Sequence, residues 1–353
     1  MPRFPPLTSG KVRWALLGAG LLVAACGIAA AVKWRTPSAG ERARRAAAAG
    51  HLSRAMTLYE EHLRLHPGDQ SARLALSEIC QATDPRRAIA ILALVPEGTA
   101  EYLAAQRRIA AAAINAGEDR RAEEALLVLV QTLPDDYAVR LSLAELYHRQ
   151  RSPKEAFPHA VRCAALKPDR AQTWLLLSEI YDDLHRTHEM IAPLRRALEL
   201  APDLFEAHLN LCYALLWSGE FEEGRREAEW CLERDPDAIV ARRLLAQCDR
   251  DEGRPERALD EIGRALRVAP DDLECRLVEG QLLLYLRRAD EAFRRLQPLV
   301  ARHPKNRRLL NLAVRAARAS GRPEAAAGIQ RVEHPTGDES DPLETDIEAR
   351  SNN

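Results

Sequence analysis

His185 and His188 stand close together in the chain, with Asp182, Asp183 and Glu189 beside them. Imidazole and carboxylate are metal-ligand types, so this is the stretch where ion binding has to be considered first. No pattern of supporting groups surrounds it. The stretch falls between two helical segments, and a solvated polar turn is the expectation. Cysteines occur at 26, 80, 163, 212, 231, 248 and 275, and no two form a C-x-x-C pair. Neither a cysteine zinc site nor a dithiol redox motif is therefore indicated. The chain has no P-loop, no H-E-x-x-H and no G-x-S-x-G. It reads as a protein that is not an enzyme, with no cofactor and no small-molecule substrate.

What positions these residues is a repeat. Prolines recur every 34 residues, at 134, 168, 202, 236, 270 and 304. Five of the six are followed by aspartate. A fixed period of this length means one structural unit used many times. Residues 137–170 show its contents. Leu141, Leu143, Ala144 and Tyr147 recur at helical spacing. Ser152 and Pro153 interrupt them, and Pro153 suits the first turn of a second helix. Ala156, Ala160 and Cys163 share one face of that helix. Lys167-Pro168 ends it, because proline cannot continue a helix and restricts the residue before it. Leu and Ala dominate, aromatics are 5%, and no β-alternation stands out, so the fold class is all-α.

These units resemble tetratricopeptide repeats. The family's pattern has a large residue at position 4, Leu at 7, small residues at 8, 20 and 27, and Pro at 32. Residues 171–204 match it through Trp174, Leu177, Ser178, Tyr181, Leu194, Ala197 and Pro202, while Met190 departs from the usual Ala. Residues 205–238 match through Leu211, Cys212, Leu215, Gly224, Ala228, Cys231 and Pro236. The units 103–136, 239–272 and 273–306 match similarly, through residues such as Ala110, Ala246 and Gly280 at position 8. Small residues there let two antiparallel helices approach closely. The pattern weakens at both ends. Residues 36–69 make a degenerate first unit. The unit at 70–100 is short, since Asp84-Pro85 tightens its turn and Pro96 cuts its second helix. Residues 307–331 supply one helix and part of a second, a capping element. The resemblance implies a right-handed α-solenoid of about eight repeats over 36–331. It also implies that Cys212 and Cys231 face each other; buried free thiols are expected, with a disulfide as the alternative.

In the family, positions 2, 5, 6, 9, 12 and 13 of each first helix line a concave groove. Carried over, they give Leu175, Glu179, Asp182, Asp183, Glu206, Leu209, Asn210, Tyr213, Trp217, Arg243, Gln247, Leu277, Gln281 and Tyr285. This mixture of aromatic, apolar and acidic residues suits an extended peptide or a helix of a partner protein. The implied function is a scaffold or adaptor. A non-catalytic accessory subunit of a membrane or envelope enzyme complex, or a lipoprotein-type assembly factor, is the alternative. The family's chaperone-tail clamp needs Lys at position 5 and Asn at position 9. Here those places hold Arg107 and Ala111, Leu141 and Glu145, or Leu175 and Glu179, so that ligand is not expected. The related RNA-binding repeats have a 35-residue period. The net charge of -1 also argues against a nucleic-acid partner.

Lys11 and Arg13 precede an apolar run from Trp14 to Val32, closed by Lys33, Trp34 and Arg35. As a helix it covers about 28 Å, close to the ~30 Å hydrocarbon core of a bilayer. Residues 14–32 are therefore expected to be a single transmembrane helix, with lipid as a second partner. Two alternatives stay open. Ala29–Ala31 could supply a signal-cleavage site, and Val23-Ala24-Ala25-Cys26 resembles a lipobox with Cys26 as the lipidated residue. The short basic tail, residues 1–13, favours repeats on the non-cytoplasmic side of a bacterial inner membrane. Residues 332–353 hold seven acidic residues against Arg350 and are expected to be a disordered acidic tail.

Overall fold

The computed structural model describes residues 37–333. The basic tail, the apolar segment 14–32 with Cys26, and nearly all of the acidic tail lie outside the described residues. Within them the chain forms eighteen α-helices and one 3-10 turn, with no strand. Two compact units result, divided between Leu146 and Tyr147.

The first unit begins with α1 (Ala39–Ala48) and α2 (Leu52–Leu65). They are followed by α3 (Gln70–Gln81), α4 (Pro85–Leu92), α5 (Tyr102–Ala116) and α6 (Asp119–Thr132). Consecutive helices pack as antiparallel hairpins around Ala43, Tyr59, Ala72, Leu76, Cys80 and Ala88. Their ends follow from side chains that satisfy orphan amides. Ser38 and Glu41 form a reciprocal capping box on α1. Asp69 caps α3 through the Ala72 amide, and Asp84 caps α4 through the Arg87 amide. As expected, α4 is short: it ends at Leu92, ahead of Pro96.

The unit boundary falls inside α7 (Tyr137–Arg149). The second unit continues through α8 (Pro153–Leu166), α9 (Ala171–Asp183), a 3-10 turn (Thr187–Met190), α10 (Ile191–Leu200), α11 (Phe205–Trp217) and α12 (Phe221–Arg234). It ends with α13 (Ile239–Asp251), α14 (Pro255–Val268), α15 (Leu273–Tyr285), α16 (Ala289–Arg302), α17 (Arg307–Ala319) and α18 (Pro323–Glu333). Helix α8 starts at Pro153 and stops before Lys167-Pro168, as its sequence requires. Ala156, Ala160 and Cys163 are fully buried on one face of it. Where Met190 replaces the usual small residue, the second helix opens with the 3-10 turn, and Met190 is buried beside Leu194 and Leu211. The capping element is more than part of a second helix. Helices α17 and α18 form a complete hairpin, and α18 runs to Glu333.

Two features repeat with the period of the prolines. The carbonyls of five of the six repeat-ending prolines, 134, 168, 202, 236 and 270, lie within hydrogen-bond distance of the side chain six residues later. Trp174 Nε1 donates to the Pro168 carbonyl at 3.0 Å, and Arg276 Nε to that of Pro270 at 3.0 Å. His208 Nε2 lies 2.9 Å from the Pro202 carbonyl, while Arg140 and Arg242 bond to those of Pro134 and Pro236. Such bonds satisfy a carbonyl in the turn between repeats, outside either helix. The second feature is a left-handed residue between the helices of each repeat from residue 103 onward. It is glycine at 117, 219, 253 and 321, but Arg151, His185 and Arg287 take it with φ of 58°, 58° and 60°.

Candidate protein-docking face

In the second unit, close packing joins α11 to α13, α13 to α15 and α15 to α17. Each second helix packs closely on first helices alone. From α11 onward the first helices are thus the more tightly spaced row, which makes theirs the inner side there.

Helical periodicity divides each first helix between core and inner face. On α11, Ala207, Leu211, Cys212, Ala214 and Leu215 are buried, and Trp217 is left 66% exposed. On α15, Leu282 and Leu283 are buried, whereas Tyr285 is 65% exposed and Gln281 is also exposed. Glu206 is exposed. Glu179, Asp182, Asp183, Leu209, Asn210, Tyr213, Arg243 and Gln247 are half-buried. The rings of Tyr213 and Trp217 meet edge to face with centroids 6.2 Å apart.

Two of the expected groove residues do not belong to this surface. Leu277 is 1% exposed and sits in a core with Leu309, Leu310 and Ala313 of α17. Leu175 is 7% exposed and packs with Ala207, Leu211 and Ala214 of α11. Both occupy position 5, next to the following first helix. Leu175 and Leu277 are covered by that helix, whereas Leu209 and Arg243 at the same position keep part of their surface.

The acidic residues concentrate on α9 and α11. Burial raises the Glu179 carboxyl above its ordinary range; nearby Glu206 and Asp183 add to the rise and His148 opposes it. Asp182 is raised by burial and then by Asp183. Burial and the Asp182 carboxylate raise Tyr213 in turn. His148 lies 3.4 Å from Glu179 and 3.0 Å from Asp183, which also receives Arg151 at 2.9 Å. Among the described residues, neither Asp182 nor Glu206 forms a salt bridge.

His185 and His188 are both exposed in the turn after α9. Among the described residues no group of three or more His, Cys, Asp and Glu side chains is placed to hold a metal ion. The six cysteines from Cys80 to Cys275 are buried free thiols, including Cys212 and Cys231. Cys212 pairs by a hydrogen bond with Cys248 of the next first helix.

A second stretch of first-helix surface lies in the first unit. A cavity of about 390 Å³ is lined by Arg107, Ala111, Ile114, Asn115, Ala138, Ser142 and Glu145, among others. These residues hold positions 5, 9, 12 and 13 of one repeat and 2, 6 and 9 of the next. The same repeat positions line the groove in the family pattern.

Family profiles described as tetratricopeptide repeat match residues 171–204 and 277–335. The first match coincides with the unit framed by Pro168 and Pro202. The chain therefore contains tetratricopeptide repeats. No curated protein sequence matches it. Among solved structures it is similar to PilW, titled a widely conserved type IV pilus biogenesis factor. That match has a TM-score of 0.51 and 18% identity over 61% of this chain and 99% of PilW. It is also similar to the MamA protein, with a TM-score of 0.46 and 18% identity over 50% of this chain and 96% of MamA. A thermophilic repeat protein from Thermus thermophilus gives a TM-score of 0.38 and 21% identity over 52% of this chain and 99% of its own. At these identities the PilW likeness concerns the fold alone.

Proposed function

We propose that this chain is a protein-interaction scaffold that receives a segment of a partner along the first-helix face of its second unit. One observation carries the reading. Trp217 and Tyr285, 66% and 65% exposed, are the two most open large apolar side chains on this row of helices, where most of the others are used in the core. Exposed aromatics beside polar groups are what protein-binding surfaces present. Residues 14–32 would tether the scaffold to a membrane, supported by the length of their apolar run. The test is a comparison of the proteins that co-purify with the wild-type chain and with the Trp217→Ala/Tyr285→Ala variant. A defined set should be lost from the variant while its helical spectrum and melting temperature stay unchanged. An identical set from both would remove this face from function.

A further inference from the structure

The α9–α11 part of the face carries more negative charge than its surroundings answer. Several buried or partly buried carboxylates elsewhere in the second unit are ion-paired. Asp249 receives Arg225 at 2.8 Å and Arg254 at 3.2 Å. Glu261 receives Arg242 at 3.0 Å, and Glu279 receives Arg276 at 2.9 Å. On α9 and α11, four carboxylates have only the Arg151 guanidinium and the His148 imidazole beside them; Arg151 reaches Asp183, and His148 lies between Asp183 and Glu179. Asp182 is half-buried and Glu206 exposed, and both lack a salt-bridge partner among the described residues. Like charges gathered in a partly buried place oppose one another. A cation brought among them meets several carboxylates at once. Beside them, Tyr213 and Trp217 add aromatic faces, to which an ammonium or guanidinium is attracted. Arg243, one repeat further along, limits the acidic stretch to α9 and α11.

We propose that this stretch receives an extended partner segment bearing lysine or arginine. The inference rests on the docking reading above and adds the charge of the partner. The exposed Trp217 ring and the unanswered carboxylates are separate observations that point to the same occupant.

The test uses the full chain and three fluorescent extended peptides. One alternates lysine with glycine and serine, one has glutamate in place of lysine, and one is neutral and aromatic. The lysine peptide should bind, and high salt should weaken it strongly, because exposed charges are screened. The Glu179→Gln/Asp182→Asn/Glu206→Gln variant should bind it about tenfold more weakly. Trp217→Ala should also weaken it. An outer-side variant with the same change in net charge, Glu222→Gln/Glu233→Gln/Asp260→Asn, should bind as wild type does. Equal weakening by the inner and outer variants would overturn the inference, as would tight binding of the glutamate peptide or no binding of the lysine peptide. If the neutral aromatic peptide binds and only Trp217→Ala removes it, the docking reading survives and the charge inference fails. If Trp217→Ala alters the binding of none of the three, both fail.

Discussion

Position 5 of the repeat shows how one site in the helix can belong to a surface or to a core. Leu175, Leu209, Arg243 and Leu277 are equivalent by spacing, yet the next first helix covers Leu277 almost entirely and leaves Arg243 half-buried. A buried leucine leaves a cavity when truncated, since the closely packed surroundings relax only in part. Leu277→Ala should therefore lower stability by about 2–5 kcal/mol. Tyr285→Ala, on the same helix, should change it by no more than about 0.5 kcal/mol. Denaturant unfolding of the two variants separates core from face; similar losses for both would place Tyr285 in the core as well. At this scale the sequence was only partly legible. Trp217, Tyr285 and Gln281 are exposed, which is compatible with the groove positions that their place in the repeat implies. The burial of Leu175 and Leu277 was not legible, because it depends on how closely the following helix approaches. The donor to the proline carbonyl is illegible for a different reason. The repeat pattern marks position 4 only as a site for a large side chain, and the hydrogen bonds show why Arg140, His208, Arg242 and Arg276 can stand where Trp174 does.

The hairpin is the element that repeats, and its turn imposes a backbone requirement. At Arg151, His185 and Arg287 a side chain occupies a left-handed conformation that costs about 1–2 kcal/mol for residues with a Cβ. Glycine avoids that cost and gives back part of it through the greater freedom of the unfolded chain. His185 is exposed, so His185→Gly should raise stability by about 1 kcal/mol. A thermal melt checks this, and a lower melting temperature would mean that the His185 side chain holds the turn. The close approach within a hairpin imposes a second requirement. A Cβ placed on Gly280 would lie 2.8 Å from the Leu296 side chain of the facing helix, which accounts for the smallest residue at that position. The helix ends were readable from Pro153, Pro168 and Asp84-Pro85, whose effects on the backbone are local. The full extent of α18 was not, since a terminal helix is held by packing on α17 rather than by a repeat-ending proline.

Across the molecule, the 34-residue period revealed the all-α repeat architecture before any contact was known. The same regularity explains why no partner can be read from it. Most of each repeat is committed to contacts within its hairpin and with its neighbours, as expected for a repeat protein. What distinguishes this chain is the remainder: Trp217 and Tyr285 on the inner row, and the carboxylates of α9 and α11. The central claim is that this inner row is where a partner lies. Photo-crosslinking in cells tests it most directly, with a photoreactive residue placed in turn at 179, 213, 217 and 281 on first helices, and at 226, 257 and 264 on second helices. The account predicts that one defined protein crosslinks from the first-helix positions and none from the second-helix positions. Crosslinks that arise equally from both rows, or only from the second helices, would contradict it.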